Sequence, residues 1–400
     1  MKLQFNHPME PQLFKFMDND YKPEVAKEVL LQKIDKLFDF LQLPYTIQEQ
    51  LDKTNNIKFS DIYKVILINS EFKGKPIDIS IKIPNIHNSY CWVSGVKRYV
   101  QKQIIDTSFI DMNSEKSERL VCEYATTFSV VKKTDEIAFN VKGMRFLKAI
   151  PLYLYLIKES GEINKLEELA QEDDSINNQL QEYITLSQNK LLSSMGPNIS
   201  SMQKKKTIML MKTYYHMSEI LQEYCDSPAD IIYQLIKRIS NVNHVVGLDL
   251  RTRRLRNAMD IVVSHAVGLL IEFLVNLLFT NKQKKQHVLK IEPYQNLYEF
   301  ILAETTFNSP LASVSNRSRC TILGTNGFSR EGVPVKVRDL HPSQYGNLDP
   351  AVTPDRENAG VVLYLASICE TDHLGRFKIN SDFIEYCKPI LEVRHESFNE

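Results

Sequence analysis

The chain has 400 residues. A single hydrophobic core rarely grows past about 250–300 residues, so we expect two or three domains. Lys and Arg number 49, as do Asp and Glu, so the formal net charge is zero. This balance excludes a small, uniformly basic DNA-coating protein and a disordered acidic tail. It leaves nucleic acid open as a partner, because a neutral chain can still gather its charge into patches.

The predicted elements begin with residues 24–42, whose apolar side chains recur at helical spacing. Residues 63–68 and 77–83 are predicted strands, since isoleucines alternate with polar residues in the second of them. Residues 92–103 predict a strand that leads into a basic, helix-compatible segment. Residues 128–141 predict a strand pair, and residues 207–224 and 229–239 predict helices.

Residues 261–279 are apolar enough to raise the question of a membrane span. Ser264, His265, Glu272 and Asn276 interrupt the segment and would be costly in lipid. A buried core helix is therefore the favoured interpretation, and no membrane partner is expected. The six cysteines form no CxxC pair, and the first residues lack the apolar core of a signal peptide. We expect a protein of a reducing cytoplasm.

Two arginine clusters stand out against this neutral background. The first contains Arg251, Arg253, Arg254 and Arg256, directly before the apolar segment. One interpretation is a solvated helix start. The other is an anionic partner, since a helix dipole opposes cations at its N-terminus.

The second cluster lies within residues 317–338 and has a local charge of +4. Its charged residues are Arg317, Arg319, Arg330, Lys336 and Arg338 against the single acid Glu331. Gly324 and Gly327 permit tight backbone turns, and a rigid loop that presents guanidinium groups suits phosphate oxygens or base edges. The GTNG sequence lacks the Gly-Lys-Ser/Thr of a Walker loop.

Evidence for catalysis within this chain is weak. His341 and Asp339 form a possible acid–base pair, but no nucleophile accompanies them, and a histidine that satisfies buried backbone groups is the favoured interpretation. The sequence has no paired-carboxylate array of the DxDxD type. We therefore predict no catalytic residue and no metal ligand in this chain.

Residues 323–360 read LGTNGFSREGVPVKVRDLHPSQYGNLDPAVTPDRENAG. This segment resembles the fork region of the β subunit of bacterial-type, multisubunit DNA-dependent RNA polymerase. The family pattern there runs LGPGGLTRE, then VRDVHPSHYGR, then CPIETPEGPNIGL. Weaker resemblances precede it in the same order, at residues 83–103, 143–156, 247–258 and 298–311, so the match extends from about residue 60 to 380.

The resemblance implies an α+β, multidomain fold with protrusion-like and lobe-like domains and a fork region. The implied domains are the N-terminal part of a protrusion-like domain at 1–106, a lobe-like domain at 107–243, protrusion return helices at 244–315, and the fork region with the C-terminal end at 316–400. Because the sequence stops soon after the fork, it resembles the N-terminal part of a split β subunit. Jumbo bacteriophages encode such subunits, and an archaeal split subunit is the less favoured alternative. The implied location is the cytoplasm of an infected bacterial host, or the virion if the polymerase is packaged.

The resemblance also implies site residues. The fork loop comprises Gly324, Thr325, Asn326, Gly327, Phe328, Ser329, Arg330 and Glu331. The implied nucleic-acid contacts are Arg253, Arg254, Arg256, Arg317, Arg319, Arg330, Lys336, Arg338, Asp355 and Asn358. Of these, Arg330 and Arg338 are expected to hold the loop and meet nucleic acid. Arg356, Glu357 and Asn347 depart from the family pattern.

Positions that line the rifampicin pocket in the family carry Ala303, Thr306, Asn316 and Thr321 here. The family has Gln, Asp, His and Ser at these positions, so we expect resistance to rifampicin.

The family holds its catalytic Mg²⁺ on aspartates of the β′ subunit, so this chain is expected to bind no cofactor. The implied partners are a C-terminal β fragment, β′-like subunits, DNA template, RNA and nucleoside triphosphates, with a promoter-specificity subunit left open. The implied activity is that of a nucleotidyltransferase subunit. A non-catalytic β mimic that binds DNA or inhibits a host polymerase is the alternative. A stand-alone nuclease is disfavoured because metal ligands are lacking.

Overall fold

Helices and several small sheets make up the computed structural model. The structure describes residues 21–50, 62–87, 89–93, 96–106, 109–111, 117–124, 126–133, 136–160, 174–240, 248–279, 287–292, 302–304, 310–324, 327–352, 354 and 356–379. The α+β, multidomain fold class predicted from the sequence is confirmed.

The strands are β1 (Tyr45–Gln50), β2 (Ile62–Phe72), β3 (Lys75–Pro84), β4 (Tyr90–Val93), β5 (Val96–Val100), β6 (Lys102–Asp106), β7 (Phe109–Asp111), β8 (Ser117–Val121), β9 (Thr127–Lys132), β10 (Ile137–Val141), β11 (Leu147–Lys148), β12 (Arg253–Arg256), β13 (Val288–Ile291), β14 (Leu302–Glu304), β15 (Arg319–Thr321) and β16 (Val362–Tyr364). The helices are α1 (Pro23–Leu41), α2 (Ala149–Ser160), α3 (Asp174–Ile184), α4 (Gln188–Ser194), α5 (Ser201–Met217), α6 (Glu219–Tyr224), α7 (Pro228–Ser240), α8 (Ala258–Leu278) and α9 (Pro310–Ser318). Short 3₁₀ helices cover Arg330–Gly332, Val335–Arg338, Pro342–Gln344 and Arg356–Asn358.

The first sheet has the order β1-β2-β3-β13 and follows from the isoleucine alternation. Ile77, Ile79 and Ile81 point to one face and are almost fully buried. Lys73 and Gly74 both have positive φ, which is the backbone of a two-residue hairpin turn between β2 and β3. Helix α1 buries its apolar stripe in the same core, so the predictions for residues 24–42, 63–68 and 77–83 are confirmed.

The second sheet has the order β11-β10-β9-β8-β7, and helices α2, α5 and α7 pack against it. The predicted strand pair at residues 128–141 corresponds to β9 and β10, which are antiparallel. The predicted helix at 207–224 is two helices, because Ser218 is extended and its hydroxyl caps α6 by accepting from the amide of Leu221. The predicted helix at 229–239 lies within α7, where the Ser227 hydroxyl accepts from the amide of Asp230.

Helix α8 is the apolar segment that raised the question of a membrane span. By length and composition it is able to cross a membrane, but 61% of its most apolar window is buried inside the protein. It packs against α1 and α5, and its Glu272 pairs with Lys142. These contacts agree with the expected core helix.

The third sheet has the order β12-β6-β15-β16, and the fourth has the order β14-β5-β4. They correct two expectations. The basic segment within residues 92–103 is not helical but forms β5 and β6. The arginine run is not a helix start, because Arg253–Arg256 form β12 and α8 begins only after Asn257, whose side chain caps it.

Two main cores hold these elements together. The larger runs through the first and second sheets and α1 to α8, and it joins segments on both sides of residues 107 and 243. The smaller lies beneath the third sheet and includes Ile104, Leu250, Cys320, Val337 and Leu348. The predicted boundary near residue 316 falls close to this second core, and the domain boundaries stay a prediction.

Candidate nucleic-acid interface

The fork loop stands on the third sheet. Strand β15 leads into the loop and lies parallel to β6, with Cys320 opposite Lys102 and Thr321 opposite Gln103. On its other edge β15 is antiparallel to β16. Because both neighbours of β15 are fixed by backbone hydrogen bonds, the loop leaves the sheet from a rigid base.

Backbone hydrogen bonds shape the loop itself. The amide of Phe328 donates to the carbonyl of Ile322 at 3.0 Å, and the amide of Gly327 donates to that of Gly324 at 2.9 Å. Gly324 has φ +114°, which strongly favours glycine. A Cβ on Gly327 would lie 2.4 Å from the Ile322 carbonyl oxygen, so this position has no room for a side chain. Thr325 and Asn326 lie outside the described residues.

Side chains from two other strands support the loop from below. Gln103 Nε2 donates to the carbonyl of Leu323 at 2.9 Å, and Arg256 Nη1 donates to Gln103 Oε1 at 3.4 Å. The Arg253 guanidinium lies 5.7 Å from the centre of the Phe328 ring, within range of a cation–π contact. Strand β12 thus positions the loop through β6 and Phe328.

The arginines of β12 are buried, which changes their expected role. Arg253, Arg254 and Arg256 are 7%, 3% and 4% exposed. Arg253 pairs with Asp106. Asp260 forms ion pairs with the other two arginines. Its Oδ2 lies 2.6 Å from Arg254 Nη1 and 3.6 Å from Arg256 Nε.

The expectation that the three arginines face DNA or the hybrid stays a prediction, and the structure shows them buried and paired with carboxylates. A phosphate would have to displace buried carboxylates to reach them. Burial alone would raise the pKa of Asp260, but the two arginines outweigh it and the pKa lies below its usual range. In this structure the β12 arginines are structural ion-pair partners and loop supports.

The two arginines expected to hold the loop and meet nucleic acid have different environments. Arg330 is exposed, and its guanidinium makes no hydrogen bond or ion pair with the residues that the structure describes. Arg338 Nη1 donates to the carbonyls of Glu357 at 2.9 Å and Ala359 at 3.1 Å. Gly360 has φ +69°, and a Cβ there would lie 2.7 Å from that of Arg338. Arg338 therefore ties two segments of the fork together, whereas Arg330 points to solvent.

A second group of cations lies on β6 and β15, where Arg319 contacts Tyr99. Arg319 Nη1 donates to the Tyr99 hydroxyl at 3.1 Å, and Lys102 Nζ donates to the Arg317 carbonyl at 2.8 Å. Burial raises the pKa of Tyr99, and the nearby Arg319 opposes the rise. Both predicted residues, Arg317 and Arg319, are partly exposed here.

Sequence reasoning missed the contribution of β5 to this group. Lys97 lies over the Tyr90 ring at 4.4 Å, and Arg98 follows it on the same strand. These residues belong to the basic segment that was expected to be helical. If the segment is interpreted as strands, Lys97 and Arg98 are expected on a sheet, which is where the structure has them.

Other predicted residues are placed less completely. Asn358 ends a 3₁₀ helix and its carbonyl accepts from the amide of Val361. The backbone of Lys336 lies in the 3₁₀ helix Val335–Arg338, while its side chain is outside the described part. Asp355 lies outside the described residues, so its predicted contact is untested.

His341 matches the structural interpretation of that residue. Its Nδ1 accepts from the amide of Ser343 at 3.2 Å and lies 2.8 Å from the Ser343 hydroxyl. Burial lowers the pKa of His341. Among the described residues, no cluster of three or more His, Cys, Asp or Glu side chains is placed to hold a metal ion.

Four positions of this chain correspond to residues that line the rifampicin pocket in the family. The structure describes two of them in full. Thr321 is buried, and its hydroxyl donates to the Val361 carbonyl at 3.4 Å. Asn316 Nδ2 donates to the Tyr90 hydroxyl at 3.5 Å. The side chain of Ala303 and all of Thr306 lie outside the described residues.

Comparison with known proteins finds similarities to subunits of RNA polymerase. Residues 305–371 match the family model of RNA polymerase Rpb2, domain 3. The DNA-directed RNA polymerase subunit beta of Mycoplasmopsis pulmonis (strain UAB CTIP) is 31% identical over 96 residues, 23% of this chain and 8% of the relative. The subunit of the same name from Mesoplasma florum is 35% identical over 88 residues, 22% of this chain and 7% of the relative.

The matched part of the chain thus spans less than a tenth of the length of either relative. Residues 305–371 are thus similar to RNA polymerase Rpb2, domain 3, and the chain has regions similar to bacterial RNA polymerase β subunits.

Proposed function

We propose that the chain is the N-terminal part of a β subunit of a multisubunit DNA-directed RNA polymerase and forms one side of its active-site cleft. The observation that carries this proposal is that the matched segment and the loop with the exposed arginine overlap. The match to Rpb2, domain 3, falls on residues 305–371, and the same segment contains the braced loop that presents Arg330 to solvent.

The chemistry of the loop suits a nucleic-acid backbone. A guanidinium binds phosphate oxygens through several N–H groups in a fixed plane, and Arg330 is exposed on a loop whose base is fixed by β6, β15 and Arg338. Partly exposed Arg317 and Arg319 add positive charge on the α9–β15 side. Contacts of this kind add a salt-dependent, sequence-independent term to binding.

In this proposal the loop lies at the downstream edge of the cleft, where template and non-template strands separate. Arg319 and Asn358 lie along the path of the nascent RNA. Arg338 and the β12 arginines act as positioning residues, since their guanidinium groups bind carbonyls and carboxylates of the protein itself.

The reaction centre belongs to a partner in this proposal. A β′-like chain would hold the Mg²⁺ on its aspartates, and that ion would supply the metal chemistry of nucleotidyl transfer. The present chain binds and orients nucleic acid. A C-terminal β fragment completes the split subunit. The enzyme works in the cytoplasm of a bacterial host infected by a bacteriophage. If the polymerase is packaged, it is also present in the virion.

The first test is co-purification of the tagged full chain from its native source, with identification of bound proteins by mass spectrometry. A polymerase subunit brings down a β C-terminal fragment and β′-like chains from the same genome, and the purified chain alone incorporates no nucleotide. Recovery of only host polymerase subunits would favour the alternative of a β mimic. Nucleotide incorporation by the chain alone would refute the proposed division of labour.

The second test is Arg330→Ala in the assembled enzyme. We expect elongation to slow by roughly two- to twelvefold, which corresponds to about 0.5–1.5 kcal/mol for one lost hydrogen-bonding contact. The slope of log affinity against log salt should fall by about one, as expected for one lost phosphate contact. Lys205→Ala, on the exposed surface of α5, removes the same charge and serves as the control. Equal elongation rates for the two variants would place the fork loop away from nucleic acid.

A further inference from the structure

An apolar groove lies among residues 337–363, with Leu248 as a further part of its wall. Its cavity has a volume of about 320 Å³, and its walls include Leu248, Val337, Leu348 and Leu363. Three side chains that line it are unusually exposed for their type, with Leu340 at 60%, Tyr345 at 47% and Val352 at 47%. Contiguous exposed apolar surface of this kind is typical of a site that another segment or protein covers.

The chain leaves the described structure next to this groove. Asn347, which directly precedes Leu348 of the groove wall, donates from Nδ2 to the carbonyl of Lys378 at 3.2 Å. The Asn347 carbonyl in turn accepts from the amide of Ala366. Ile379 packs against the smaller core as the last described residue. The segment that follows residue 379 therefore starts close to the groove.

The sequence of that segment matches the groove in chemistry. Residues 381–400 read SDFIEYCKPILEVRHESFNE, with apolar side chains at 383, 384, 386, 390, 391 and 393. An extended chain covers about 3.3–3.6 Å per residue, so Phe383 and Ile384 are within reach of a groove that begins near Asn347. The segment also carries both signs of charge, with cations at 388 and 394 and acids at 382, 385 and 392, and the groove likewise carries Asp339, Asp349 and Arg338.

We propose that residues 381–394 dock into this groove of their own chain and cover Leu340, Tyr345 and Val352. The apolar side chains at 383 and 384 fill the cavity, and the cations at 388 and 394 lie near Asp339 and Asp349. This inference concerns the chain by itself and goes beyond the proposed function, so it stands or falls independently of the polymerase assignment.

The cysteine distribution allows a direct test in the full-length chain. Cys91, Cys122, Cys225, Cys320 and Cys369 are all buried, and the sixth cysteine, Cys387, lies in the proposed docking segment. Val352→Cys introduces a reactive partner in the groove for a short bismaleimide. Val288→Cys is the matched control, because Val288 is equally exposed at 47% but lies on β13 of the first sheet.

In dilute monomeric protein, we expect the introduced cysteine at 352 to cross-link to Cys387 within one chain at least five times more than the control at 288. Peptide mass spectrometry identifies the linked pair. Equal yields would overturn the proposal. Cross-links found only between chains would assign the groove to a second copy, and protection of the groove only after partner subunits are added would assign it to a partner; both outcomes also overturn it.

A charge-insertion pair separates docking from mere proximity. In the Val352→Cys background, Phe383→Asp with Ile384→Asp should reduce the cross-link at least fivefold, since carboxylates are costly in an apolar groove. Ser397→Asp with Asn399→Asp adds the same charge beyond the docking residues and should leave the yield unchanged. A yield that stays the same in both double variants would show that the segment lies near the groove without entering it, against the proposal.

Discussion

Gly327→Ala tests whether the fork loop has the shape that its backbone hydrogen bonds require. The new methyl group would lie 2.4 Å from the Ile322 carbonyl oxygen and 3.2 Å from Gln103 Nε2. The first neighbour is backbone and cannot rotate away. The loop therefore has to move, and the hydrogen bond from the Phe328 amide to that same carbonyl is the first contact to be lost.

The cost follows from these contacts. Forcing an extra methyl group into a packed site costs about 1–3 kcal/mol, a range that includes the hydrogen bond, worth about 1 kcal/mol. The loop is local, so the effect should appear mainly as local opening rather than as loss of the whole fold. In hydrogen exchange this range corresponds to an increase of about 5- to 150-fold for the loop amides.

Gly332→Ala is the matched control within the same segment. Its Cβ would meet only the Ser329 hydroxyl at 2.9 Å, and that side chain is free to rotate. We expect a cost below about 0.5 kcal/mol for this variant, the usual limit for a surface substitution.

Hydrogen exchange with mass spectrometry on the peptide that spans residues 320–332 measures both variants in the isolated chain. Faster exchange in Gly327→Ala and wild-type exchange in Gly332→Ala would support the loop geometry. Equal exchange in the two glycine variants would refute the argument, because only one of them meets fixed backbone.

Three further predictions address the core and the assembled enzyme. Asp260→Asn should lower the free energy of unfolding by about 3–5 kcal/mol in urea titration, since it leaves Arg254 and Arg256 buried without their carboxylate; Asp249→Asn, at a more exposed ion pair, should cost less than about 1 kcal/mol. Burial lowers the pKa of His265 to about 4. As pH falls, this histidine is therefore protonated in the unfolded chain before it is protonated in the folded chain. The free energy of unfolding should fall between about pH 6.5 and 4, by up to about 2 kcal/mol at pH 5. His265→Gln should remove this part of the pH dependence in thermal unfolding. Transcription by the assembled enzyme should persist at rifampicin concentrations that stop a bacterial polymerase, and inhibition there would count against the proposed function.

Local pattern was sufficient to predict several elements. Helix α1 and strands β2 and β3 follow from apolar spacing within a few residues. The apolar run at 261–279 identified α8 to within a few residues at each end. Glycine at 324 and 327 indicated tight backbone in the fork loop, and the structure has a positive φ at the first and a steric limit at the second.

The basic segment at residues 96–106 shows where local pattern fails. Its side chains are compatible with either a helix or a strand, and it forms strands because β12 and β15 pair with β6 from distant parts of the sequence. Strand pairing of this kind depends on neighbours more than on intrinsic preference.

The arginines show the same division most clearly. Composition and position along the chain are enough to show that positive charge is concentrated at residues 251–256 and 317–338 in a neutral chain. Which of these charges are available depends on the fold. Asp106 lies 147 positions before Arg253 and neutralises it inside the protein, and carbonyls at 357 and 359 occupy Arg338, whereas Arg330 reaches solvent. Local spacing cannot reveal this, because the free energy of a charged side chain depends on burial and on partners that the fold brings together.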